Sequence, residues 1–228
     1  MKSNGDITGL ATGTLVTTPD GKKKIEEVKA GDLVLSGVGE DKTDFFKISK
    51  VSSKLYNGLI LRITANHNDN TKHQFCATPN HVCFGNSFKK LSQVAQDSIL
   101  LYSFNYYDDE AGCISHSVTK RGSGDSQGFD NIDCAEDAAF QMAHQNGDAE
   151  IKHFACFTYH PTFEFMHAAD LEVTMQIPSV KKNSVHEATI TSIEEEQYDG
   201  LVYNLDIPEA RNFAANGVLV HDSTYIEL

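Results

Sequence analysis

Short strand-length runs punctuated by turn residues recur at both ends of this chain, and that rhythm constrains its fold most. The segment LVTTPDGKKKIEEV sets Pro19-Asp20-Gly21 between two runs, where proline fixes φ and glycine tolerates a left-handed backbone, so it reads as a hairpin. AGDLVLSG, LILRITA, HQFCATP and HVCFG continue the pattern up to about Tyr102. From about Val185 to Leu219 it returns. In LVYNLDI, Leu201, Tyr203, Leu205 and Ile207 alternate with Val202, Asn204 and Asp206, the period of a half-buried strand. Asn216-Gly217 predicts a tight turn before the apolar run VLV.

The middle, 103–183, has another character. It holds 13 acidic and 5 basic residues, so it carries −8 of the chain's −13. NIDCAEDAAFQMAHQNG predicts a helix, capped by Asp130 or Asn131 and stopped at Asn146-Gly147. FACFTYHPTFEF and LEVTMQIP read as strands. The expectation is a small mixed α/β insertion in an all-β domain.

At 228 residues the chain can bury a substantial core, and 40% hydrophobic content suits a soluble protein. No apolar run approaches the ~18 residues of a membrane span, and MKSNGDITGL lacks the apolar stretch of a secretory signal. The net charge of −13 opposes binding to nucleic acid. Cys76, Cys83, Cys113, Cys134 and Cys156 form no CxxC pair; they are expected to be reduced, buried thiols in a cytoplasmic setting. His144, His153, His160 and His167, with Cys134 and Cys156, lack the close spacing of a structural zinc site, so no metal and no cofactor are expected.

Two features far apart ask for one explanation. ATPNHVCF sets Thr78 and His81 three residues apart at the end of a strand, and NGVLVHDS runs His221, Asp222 and Ser223 in succession. Singly, each is weak: a TxxH pair or an HDS tripeptide arises often by chance. In order, however, ATGTLVTTPDGKKKIEEVKAGDLVLS, ATPNHVCF, FKKLSQVAQDSILL and LVYNLDIPEARNFAANGVLVHDS resemble the successive blocks of inteins, the protein-splicing members of the Hedgehog/intein fold family. The resemblance covers about Ala11 to Leu101 and Val185 to Ser223.

It implies a horseshoe-like all-β splicing domain with these boundaries: an upstream flank 1–10, an N-terminal part 11–102, an insertion 103–183, a C-terminal part 184–222 and a downstream flank 223–228. It also implies roles. Position 11 would supply the nucleophile that attacks the Leu10 carbonyl. His81 would protonate the departing amide nitrogen, with Thr78 orienting it. Ser223 would take over the acyl group, position 222 would cyclise on its own backbone carbonyl, and His221 would assist that last step. Ala11, Thr78, His81, His221 and Ser223 should therefore meet at one site. The process is intramolecular, needs no partner and is that of a monomer.

Four departures from the family's pattern stand out. Ala11 has no nucleophile where Cys or Ser is usual, and an introduced Cys-to-Ala exchange is the reading that fits. Asp222 replaces the usual Asn, Arg211 stands where a histidine is frequent, and Asn204 where an aspartate is common. The expected outcome is a chain that stays unspliced. The endonuclease common in such insertions is not expected here, because no LAGLIDADG-like segment is present and the segment is acidic. Two alternatives are a Hedgehog-type autoprocessing domain, which has no use for HDS at the end, and a non-catalytic β-rich binding module.

Overall fold

The computed structural model describes residues 7–86, 99–103, 106–108, 113–120, 126–129, 132–147, 151–158 and 163–222. The first strands are β1 Leu10–Ala11, β2 Leu15–Thr18, β3 Gly21–Lys24, β4 Leu33–Gly39, β5 Lys42–Lys47, β6 Lys50–Asn66, β7 Lys72–Ala77 and β8 Val82–Gly85. In the middle, β9 Ile99–Ser103, β10 Tyr106–Asp108, β11 Cys113–Lys120 and β12 Ser126–Phe129 precede the helix α1, Ile132–Gln145. After it come β13 Ile151–Ala155, β14 Phe163–His167, β15 Gln176–Lys181, β16 Ser184–Asp206, β17 Asn212–Ala215 and β18 Val218–His221. The fold is all-β with one helix among the described residues, as expected.

Its spine is the long antiparallel pair β6 and β16, joined from Ala65↔Ile190 to Lys50↔Asp206 with one irregularity between Ile190 and Ser192. Tight hairpins set the registers. Glu40 and Asp41 (φ 51° and 61°) link β4 to β5, and Lys182 and Asn183 (φ 50° and 60°) link β15 to β16. Asn216 and Gly217 (φ 50° and 84°) link β17 to β18. Paired positive φ values belong to turns whose twist matches that of the strands. The Pro19-Asp20 hairpin closes with Thr18 opposite Gly21, and the Asn216-Gly217 turn falls where the sequence puts it.

One core gathers Val16, Ile25, Ile48, Ile63, Phe75, Leu205, Phe213 and Val220. A second joins Leu35, Phe84, Ala214 and Leu219 to Phe157, Phe163 and Phe165 from the acidic middle. Strand β14 pairs with β8 from Glu164↔Gly85 to His167↔Val82, and β13 lies parallel to β9. The stretch after α1 is therefore built into the same sheet and core as the chain's two ends.

Some local expectations are corrected. LEVTMQIP is strand only from Gln176; Thr174 takes φ 83° and follows a 3-10 turn at Ala168–Asp170, so Leu171 to Met175 form a bend. In LVYNLDI, Leu201 is 40% exposed while Val202 is buried. Val202 packs with Ala11, Tyr56 and Ile60 in a small apolar cluster on the face that alternation assigns to solvent, Ala11 being its partner on the neighbouring β1. Among the four thiols whose burial is described, Cys83 is fully buried, Cys76 and Cys156 are half-buried and Cys134 is exposed. The expected cap residues Asp130 and Asn131, and residues 88–98 of FKKLSQVAQDSILL, lie outside the described residues, but the helix ends at Gln145 as the Asn146-Gly147 stop requires.

Candidate functional site

The upstream chain enters between two strands. Leu10 lies opposite Tyr203 of β16 on one side and Ala77 of β7 on the other. Thr78 clamps this entry from both directions: its N–H donates to the Gly9 carbonyl (2.9 Å) and its Oγ1 accepts from the Gly9 N–H (3.0 Å). Position 9 has no room for a side chain, since a Cβ there would lie 3.0 Å from the Tyr203 carbonyl oxygen and the Val202 Cβ. One residue further out, Asn204 Nδ2 donates to the carbonyl and the hydroxyl of Thr8 at 2.8 and 3.0 Å. Downstream, the Ala11 carbonyl accepts from Thr14 N–H and Oγ1 (3.2 and 2.7 Å). The Leu10–Ala11 peptide is thus held on both sides, and the Leu10 side chain is fully buried.

The Ala11 methyl packs with Tyr56, Ile60 and Val202, against Cys76 and Tyr198. A cavity of about 290 Å³ lined by Ala11, Cys76, Arg62, Glu196 and Tyr198 opens beside it. The Arg62 guanidinium pairs with Glu196 through two short bonds, 2.5 and 2.7 Å.

His81 closes the turn after Thr78, its N–H donating to the Thr78 carbonyl (3.0 Å) while its own carbonyl accepts from Ala168 N–H (2.8 Å). The ring is buried, and its Nε2 has no hydrogen-bond partner among the described residues. Burial, helped by the neighbouring His221, pushes its imidazole down to about 3. It is therefore neutral at pH 7.

Strand β18 pairs with β8 through Val220↔Cys83, which brings the chain's downstream end next to His81. His221 is buried against Phe84 and Phe165, with ring centroids 6.0 and 5.2 Å away. Burial lowers its pKa, against the opposing pull of Asp222. Its Nδ1 lies 3.0 Å from the Asp222 carbonyl oxygen, and since a carbonyl only accepts, the proton is assigned to Nδ1. Its Nε2 is unpartnered among the described residues. The Asp222 carboxylate is held in turn: Oδ2 accepts from Ile207 N–H (2.9 Å) and lies 3.9 Å from the Arg211 guanidinium.

Thr78, His81, His221 and Asp222 thus converge with the Leu10–Ala11 junction on the ends of β1, β7, β8 and β18. Ser223 lies outside the described residues. Arg211, at the left-handed φ of 55°, bridges Asp222 to Asp206 and also reaches Asp133 of α1 (3.1 Å). His153 of β13 stacks on Phe165 at 5.9 Å and is pushed down to about 4 by burial and by His221. Side chains of the acidic middle therefore surround Arg211, His221 and Asp222. Nothing in the sequence marked Asp133 or His153 for that role, because contacts made only after folding leave no spacing to read. Gly9 and the Asn204–Thr8 bonds were missed for the same reason.

No protein-family profile matches the chain. A protein described as a probable translation initiation factor IF-2, from Pyrococcus abyssi, is 50% identical over 38 residues, spanning 17% of this chain and only 4% of that protein. Solved structures decide the fold. The bacterial intein-like domain from Clostridium thermocellum aligns with 95% of this chain and 100% of its own at a TM-score of 0.52 and 12% identity. This chain has the intein fold. The PabCDC21-1 intein aligns over 94% of this chain and 98% of its own (TM-score 0.52, 15% identity), and a DnaB intein from Synechocystis over 96% and 100% (0.50, 13%). With so little shared sequence, the intein fold itself is what the likeness establishes. No helix of the described residues is long and apolar enough to cross a membrane.

Proposed function

We propose that this chain is an intein that excises itself and joins its flanks, with its first step disabled by Ala11 and its last slowed by Asp222. The observation that carries this reading is the double clamp of Thr78 on Gly9, two residues before the junction, within the same site as His81 and His221. A structural Thr-His pair would need no such grip on an upstream segment. On this reading 1–10 and 223–228 are the flanks, 11–102 and 184–222 the splicing domain, and 103–183 an insertion that supports the site.

The chemistry follows from the contacts. A Cys or Ser at 11 would attack the Leu10 carbonyl carbon, its proton leaving to solvent or a base, and the Leu10–Ala11 C–N bond would break as the nitrogen gains a proton. His81, in the turn that Thr78 opens, is the donor assigned to that nitrogen, and as a ring with so low a pKa it is a strong acid once protonated. The Ser223 hydroxyl oxygen would next attack that same Leu10 carbonyl carbon, forming an ester as the bond to the residue-11 sulfur or oxygen breaks and that group takes up the proton Ser223 loses. In the last step the position-222 side chain attacks the 222 carbonyl carbon, the 222–223 C–N bond breaks as the Ser223 nitrogen gains a proton, and the freed Ser223 amine then takes the acyl group from its own hydroxyl oxygen to form the joining amide. The His221 Nδ1–H already donates to the 222 carbonyl oxygen, so it would stabilise the oxyanion that develops there. An Asn supplies a neutral nitrogen nucleophile; the Asp222 carboxylate, held by Ile207 N–H and Arg211, is a weaker one. The reaction is intramolecular and requires no cofactor, partner or nucleic acid.

Reverting position 11 alone tests this. Ala11→Cys is expected to release the upstream peptide ending at Leu10 when a small thiol is added, read by intact mass. An intact chain after prolonged thiol treatment, with the fold unchanged, would remove the basis for the proposal.

A further inference from the structure

Two kinds of contact hold the upstream segment, and only one of them can read its sequence. Backbone bonds seat any chain: Leu10 pairs with Ala77 of β7 and with Tyr203 of β16, and Thr78 grips Gly9 through its N–H and Oγ1. A strand added beside others gains affinity in this way, while selectivity comes from what its side chains meet. Here the positions before the junction meet three different surroundings. Leu10 is fully buried and belongs to the first core, so an apolar side chain fills that place. Position 9 faces main chain. A Cβ there would lie 3.0 Å from the Tyr203 oxygen and 3.1 Å from the Tyr203 nitrogen, and Tyr203 is fixed in the β6–β16 spine opposite Ser53, so neither atom can withdraw. The φ of 156° at Gly9 is also one that residues with a Cβ rarely adopt. At position 8 the Asn204 amide turns its nitrogen to the Thr8 carbonyl and the Thr8 hydroxyl, 2.8 and 3.0 Å away. Both oxygens accept, and only the second belongs to a side chain.

We infer that β7 and β16 form a sequence-selective slot for the upstream flank, which takes a large apolar residue at position 10, glycine at position 9 and, with a weaker preference, serine or threonine at position 8. The inference rests on the reading of Leu10–Ala11 as the splice junction. It adds which host peptides the domain can process: those in which glycine and then a leucine-like residue precede it. The ranking follows from the contacts. A side chain at 9 overpacks against backbone that cannot move, a cost equivalent to about five- to hundredfold in seating. Leu10→Ala empties a core position, equivalent to about thirtyfold or more. Asn204 adds hydrogen bonds whose net worth is smaller, about two- to tenfold. Val202 and Tyr203 therefore determine specificity by closing the space at 9, and Asn204 by the donor it presents to Thr8.

Two readouts on the full chain test the slot. In the Ala11→Cys background, thiol-induced release of the peptide ending at residue 10 is timed by intact mass. Adding Gly9→Val should slow release about five- to hundredfold and Leu10→Ala about thirtyfold or more, Asn204→Ala should slow it about two- to tenfold, and Leu10→Met should stay closest to the parent. In the unaltered Ala11 background, where no bond breaks, Gly9→Val should strip hydrogen-exchange protection from the Thr78 N–H while the amides of β6 and β16 keep theirs. Gly9→Ala takes its place should the valine variant not fold. The readouts separate the two claims: a parent that releases nothing counts against the splicing reading, and the exchange measurement then decides the slot by itself. Release from the Gly9 variant at the parental rate, or a Thr78 amide as protected in it as in the native chain, would overturn the inference.

Discussion

Thr78 offers the sharpest quantitative test of how the upstream junction is held. Its hydroxyl is fully buried and accepts from Gly9 N–H at 3.0 Å. Thr78→Val keeps the volume and deletes only that acceptor, leaving a buried N–H unpaired at a cost of about 1–3 kcal/mol. Thr78→Ser keeps the acceptor and removes one methyl, the scale of an Ile→Val change, about 0.5–1.5 kcal/mol. Thr78→Ala combines both losses and should cost about 2–4 kcal/mol. Urea unfolding of the four proteins, fitted with a common slope, gives the series. The expected order of stability is native, Ser, Val, Ala, and the Gly9 amide should lose hydrogen-exchange protection in Val but not in Ser. A Val variant as stable as Ser, with Gly9 still protected, would refute the argument that the hydroxyl holds the upstream chain.

The remaining expectations concern the buried histidines and the aromatic core. The unfolded chain binds a proton at His81 near pH 6.5 and the folded chain only near 3, so the unfolded state holds more protons between those values. Stability should therefore fall as pH drops through that window, by up to about 1.4 kcal/mol per pH unit for such a group. His153 and His116, both pushed down to about 4, act in the same direction. In His81→Asn the slope of urea-derived stability against pH should flatten by one histidine's share; an unchanged slope would contradict the buried neutral ring. Phe163, fully buried in the second core, should cost about 3–5 kcal/mol as Phe163→Ala. A loss below 1 kcal/mol, in the range typical of surface substitutions, would mean that β14 is dispensable to the domain.

The fold was legible where local chemistry dictates geometry. Pro19-Asp20 and Asn216-Gly217 bend the chain because of their own backbone preferences, and those hairpins formed where expected. Alternation failed at Leu201 and Val202, because Val202 is buried by a cluster with Ala11, Tyr56 and Ile60, residues nearly two hundred and about one hundred and fifty positions earlier. Charge misled differently. The acidity of 103–183 marks a distinct surface, yet Phe157, Phe163 and Phe165 from that segment complete the second core. The candidate site was half readable: Thr78, His81, His221 and Asp222 stand out by order and spacing, whereas Gly9 matters only through the backbone that crowds it. Arg211, read as a departure from a familiar pattern, turns out to join Asp222 to Asp133 of α1.

The central claim is that the site splices once its two deficient positions are repaired. Ala11→Cys together with Asp222→Asn, incubated in reducing buffer and followed by intact mass, tests it directly. The account predicts a 212-residue excised domain, the span from 11 to 222, and a ligated MKSNGDITGL–STYIEL peptide, while the unaltered chain stays whole under the same conditions. A folded double variant that remains a single intact chain would contradict it.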